Sequence, residues 1–182
     1  SDSDAEGQTE AVVIDRHIDK TTQVQPLSPM CESITTCASS VAGKPSVKVQ
    51  WSINHFSVSM NKKLGRDLVS PDFDLGNLTG LKLQVAPENT RVSKRDSSRL
   101  AFKKLVTEGP FYGCLTLKIP NAPKSPVEYH VSINNHTIGP FTNDFSDHCS
   151  AVHSGLGVNW LQEKNKDGSL LVGVDIVLHD GL

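Results

Sequence analysis

Five residues in a short stretch carry the side chains most suited to chemistry: Asp144, Asp147, His148, Cys149 and His153. Cys149 and His153 stand four positions apart, and cysteine, histidine and aspartate are all zinc ligands. Structural zinc sites, however, recur as paired C-x-x-C or H-x-x-x-H elements, and no second pair lies near this one in sequence. The expectation is therefore a polar loop and no metal. The same cysteine is the one candidate nucleophile, its thiolate served by His130, His136 or His153 as base. A hydrolase of that kind needs a stabilised thiolate and an oxyanion hole, and no signature of such an enzyme surrounds Cys149. Ser154 sits in His153-Ser154-Gly155, which is not a nucleophile elbow. No P-loop and no G-x-G-x-x-G occurs, so no nucleotide cofactor is expected. Arg91 to Arg99, followed by Lys103 and Lys104, is the one basic run. It is poor in aromatics and reads as a solvated loop rather than a nucleic-acid footprint.

The composition narrows the class of protein. With 182 residues, 37% of them hydrophobic, the chain suits one domain with an extra arm. Eighteen basic and twenty acidic side chains leave a net charge of −2, which gives no pull toward nucleic acid or an anionic membrane. No apolar run is long enough to span a bilayer, and the opening residues lack the pattern of a signal peptide. The absent initial methionine suggests a fragment or a processed product. Cys31, Cys37, Cys114 and Cys149 form no C-x-x-C pair and are read as reduced thiols, which places the protein in the cytoplasm.

The elements that must position these residues are strands. Residues 1–45 are rich in Ser, Thr, Asp, Glu and Gln and read as a flexible arm or linker, with Val12, Ile14 and Ile18 able to make one short strand. From Ser46 the hydrophobic period becomes two. Val47, Val49, Trp51 and Ile53 alternate with polar residues, as do Leu81, Leu83 and Val85; Leu115, Leu117 and Ile119; and Tyr129, Val131 and Ile133. Leu170 to Leu178 gives a longer run of the same kind. Leu68-Val69 with Phe73, and Leu100-Phe102 with Leu105, are shorter candidates. No stretch carries a helical stripe over three turns. Glycine, proline and asparagine separate the runs, so residues 46–182 are expected to form an all-β antiparallel sandwich of seven to eight strands. Trp51 and Phe56 belong to its core. Phe111-Tyr112 breaks the alternation and is either a surface anchor or core.

Val49-Gln50-Trp51-Ser52-Ile53-Asn54-His55-Phe56 resembles the first strand of MATH/TRAF-like (meprin and TRAF homology) domains. Ser70-Pro71-Asp72-Phe73, Leu81 to Glu88, Gly113 to Ile119, Tyr129 to Asn134 and Asp167 to Val177 are similar to later motifs of that family, in the family's order. The resemblance covers about Ser46 to His179 and describes a divergent member. It implies an eight-stranded antiparallel sandwich and a non-enzymatic adaptor or scaffold role in binding a peptide or partner protein. By alignment the family's peptide groove falls on Lys118, Tyr129, His148, Leu156 and Val158, along the strand from Glu128 to Asn134 and the loop from His148 to Val158. Only Tyr129 keeps the aromatic character of that groove, and Leu156-Gly157-Val158 stands where many members have Trp-Gly-Phe. The competing readings are a structural or oligomer-forming sandwich without a groove, and a hydrolase built on Cys149.

Overall fold

The strand at the head of the alternating region, Lys44–Ile53, buries Val49, Trp51 and Ile53 on one face while Lys48, Gln50 and Ser52 remain half-buried on the other. This is the two-residue side-chain period of a strand with one face on a core. A computed structural model describes residues 33–63, 66–88, 98–121 and 123–179. Within them lie ten strands: β1 (Ser33–Val41), β2 (Lys44–Ile53), β3 (Leu68–Val69), β4 (Phe73–Leu75), β5 (Leu78–Pro87), β6 (Gly113–Lys118), β7 (Val127–Ile133), β8 (His136–Asn143), β9 (Ser150–His153) and β10 (Leu170–Val177). Two helices join them, α1 (Phe56–Lys63) and α2 (Ser98–Glu108).

All pairings are antiparallel, and they make two sheets. One runs β1-β2-β10-β7-β8; the other runs β3-β5-β6-β9, with β4 also paired to β5. The molecule is thus the all-β antiparallel sandwich that the alternation predicts, with ten strands among the described residues where seven to eight were expected. Trp51, Ile53, Leu83, Leu117, Ile133, Val174 and Ile176 all lie in its core, at 1% exposure or less. At one end Phe56, Phe111 and Trp160 interlock, with Phe56 and Phe111 edge to face at 5.5 Å. Gly113 lies under the Trp160 indole, where an added Cβ would stand 2.8 Å from the ring.

Three expectations need correction. Residues 33–45, read as part of the arm, instead form β1 and the start of β2. Thr35 to Ala38 are exposed on both faces of β1, so no amphipathic period marks the strand, and its ladder with β2 is what orders it. Leu100-Phe102 with Leu105 is not a strand but part of α2. There Phe102 and Val106 sit four apart on the buried side, and Leu100 is 79% exposed. Phe56, which the resemblance carries in the first strand, is in the core as expected but opens helix α1 instead of ending a strand. The short strand expected at Val12 to Ile18, and the basic run from Arg91 to Ser97, lie outside the described residues. Among the described residues no helix is long and apolar enough to cross a membrane.

Candidate functional site

The chain crosses between the sheets after β6, and this separates residues that the alignment had placed together. Lys118 ends β6, facing outward opposite Lys82 and Ser150. Tyr129 lies on β7 in the other sheet, facing inward, with its ring fully buried. The two therefore do not sit on neighbouring strands, and Tyr129 is not a surface anchor. His148 is exposed in the turn before β9, while Leu156 and Val158 are half-buried in the segment after it and pack against the core. Of Phe111-Tyr112, the phenylalanine is core and the tyrosine is 46% exposed.

What the fold assembles instead is an aromatic group filling the space between the edges of the two sheets. The Tyr129 hydroxyl lies 2.8 Å from His153 Nε2, and the Asn143 side-chain amide donates to the same hydroxyl. With one donor already directed at its oxygen, the phenol donates its own hydrogen to Nε2, which assigns His153 as the neutral Nδ1–H tautomer. Phe141 lies against His153 with ring centres 4.2 Å apart and the rings tilted by 40°, and Phe145 packs 6.3 Å from Tyr129. Burial shapes the electrostatics. It pushes the Tyr129 phenol up to about 12 and holds the His153 imidazole below its ordinary value, so both groups are neutral near pH 7. The residues come from β7, β8 and β9 and from the turn at Phe145. Asn143, Phe145 and the pairing of Tyr129 with His153 had no signal in the sequence beyond the aromatic residues flanking Asp144.

Cys149 stands apart from this network. Its backbone carbonyl accepts from Ile119 N at 2.7 Å, its thiol is exposed, and no hydrogen bond joins it to a histidine. Among the described residues no three His, Cys, Asp or Glu side chains converge to hold a metal ion.

Beside the aromatic group, β9 ends its sheet, and among the described residues no strand pairs with its other side. The Ile119–Cys149 bond fixes the ladder parity. Ala151 and His153 pair with β6, so the N–H and C=O groups of Ser150 and Val152 face outward. Val152 is 64% exposed on the outer face, and Lys118 stands directly opposite Ser150 on that face. Lys82 is held by Asp72 at 3.0 Å, whereas Lys118 has no ion-pair partner among the described residues. No protein-family model matches the chain, and no curated protein matches it in sequence.

Proposed function

We propose that this sandwich is a protein-interaction module, a divergent relative of MATH/TRAF-like domains, that takes an extended peptide as an added strand along β9. The carrying observation is the open side of β9. Ser150 and Val152 offer unpaired backbone groups there, and the exposed Val152 side chain gives an apolar contact beside them. Strand addition draws affinity from main-chain pairing and specificity from alternate side chains. Two further facts support the reading. The family-like motifs occur in order from Ser46 to His179, on an antiparallel sandwich of two sheets. Lys118, with no ion-pair partner among the described residues and one strand in from the edge, favours a ligand with an acidic or phosphorylated residue. An adaptor role in the cytoplasm belongs to this reading, as does the absence of catalysis.

The test is a selection of short peptides from a random library on the full chain, followed by anisotropy titration of the best binder. Val152→Pro deletes one outward N–H without touching the ladder to β6 and should weaken binding at least about tenfold. Lys118→Glu should reverse the preference for acidic peptides. Selected peptides that bind both variants at wild-type affinity would place the interaction elsewhere.

A further inference from the structure

The first sheet ends at β1, whose far side is covered by nothing among the described residues. Its sequence, Ser-Ile-Thr-Thr-Cys-Ala-Ser-Ser-Val, has no charge and no proline, and its nine-residue ladder with β2 has no irregularity. Exposed edges are normally guarded by a charge, a proline, a bulge or shortness. The other edges differ: β8 carries Pro140 and a register shift, β3 has two residues, and β9, open at Ser150 and Val152, has only four. Among the described residues, β1 alone is a long, regular and open edge.

Its outward groups follow from the ladder. Leu178 N donates to Pro45 O at 2.9 Å, in line with the β2–β10 register, so the odd-numbered residues of β2 bond toward β10. The even-numbered residues bond toward β1, where their partners are Ser33, Thr35, Cys37, Ser39 and Val41. The hairpin turn agrees, since Ala42 and Gly43 at φ 50° and 76° make the two-residue turn that brackets a bonded pair, Val41 and Lys44. Ile34, Thr36, Ala38 and Ser40 therefore direct their N–H and C=O groups to the open side. These four residues are symmetric about Cys37.

We propose that β1 is a self-pairing edge, on which two copies of this chain join antiparallel about a two-fold axis at Cys37. In that register Ile34 meets Ser40 of the other copy and Thr36 meets Ala38, so every outward group is matched, with about eight inter-chain hydrogen bonds. Sliding the strands leaves outward groups unmatched in both copies. No like charges meet along the seam, and the side chains beside it are small on both faces. The second copy is the occupant because β1 presents it with an uncharged, proline-free and bulge-free edge, with nothing in either copy to repel or interrupt the pairing. The two five-stranded sheets become one, and β9, in the other sheet, stays open.

Sedimentation equilibrium of the full chain under reducing conditions, up to roughly 100 μM, should show a monomer–dimer equilibrium. Ala38→Pro removes an outward N–H and none bonded to β2, and Thr36→Lys sets two cations diagonally across the seam. Each should raise the dimer Kd at least about tenfold. The register has its own reporter, because Cys37 faces its copy at a non-hydrogen-bonded position with Cα atoms ~4.5 Å apart, close enough for a disulfide. Oxidised glutathione, itself reduced to two thiols, should yield a covalent dimer whose cross-link maps to Cys37 in both chains. A chain that stays monomeric, a dimer indifferent to both substitutions, or a cross-link through other cysteines would each overturn the proposal. So would a monomer that dimerises only after residues 1–32 are removed, since that assigns the edge to the chain's own N-terminal residues.

Discussion

Tyr129 donates to His153 and accepts from Asn143, so its hydroxyl serves two buried partners at once. Tyr129→Phe keeps the ring and orphans both partners, and should cost about 1–3 kcal/mol in urea melts without changing the fold. His153 adds a pH dependence whose sign is fixed. Burial lowers its folded-state pKa below the ordinary 6.5, so the unfolded chain binds the proton more readily. Its contribution to stability is complete above pH ~6.5 and is lost as the pH falls from there toward the folded value. Urea midpoints measured between pH 5 and 8 should show this slope, and His153→Gln should flatten it. Trp51 has no exposed surface, and Trp51→Ala should cost about 3–5 kcal/mol. A loss below about 1 kcal/mol would show that the ring adds little to the core.

At the scale of elements, the central strand β10 depends on a missing side chain. A Cβ at Gly173 would collide with the Val49 carbonyl oxygen and come within 2.9 Å of Ser132 Oγ. The first obstacle is backbone, so β10 cannot relieve it by a rotamer change. Gly173→Ala should cost about 1–3 kcal/mol, read from the shift in urea midpoint. The hairpin of β1 and β2 makes a second prediction. β1 half-buries only Ile34, Ser39 and Val41, but its ladder satisfies the even-numbered residues of β2 from Lys44 to Ser52. Removing residues 1–43 should therefore lower the melting temperature by several degrees, as a loss of about 1–2 kcal/mol does in a chain of this size. An unchanged melting temperature would show that β1 adds no stability to the folded sandwich.

Across the whole molecule, Trp51 and Trp160 report on different regions, one on the central strands and one on the aromatic end near α1. Both belong to one continuous core, so indole fluorescence and far-ultraviolet circular dichroism should trace one coincident urea transition. Strands β2, β5, β6, β7 and β10 and their inward residues were legible in the sequence because side-chain alternation is a local property, set by the pleat within each strand. In contrast, β8 and β9 were not read as strands, and β9 lies where a polar loop was expected. α2 was misread because its apolar residues are few, and an isolated Leu-x-Phe fits a strand as well as a helix turn. The arm hid β1 for a related reason, since a strand exposed on both faces leaves no periodic trace. The positions of Lys118 and Tyr129 in different sheets, the joining of Tyr129 to His153 across 24 residues, and the symmetry of the β1 edge were decided by tertiary structure alone. Each depends on which strands become neighbours, and that choice is made by long-range packing of faces whose local patterns look alike.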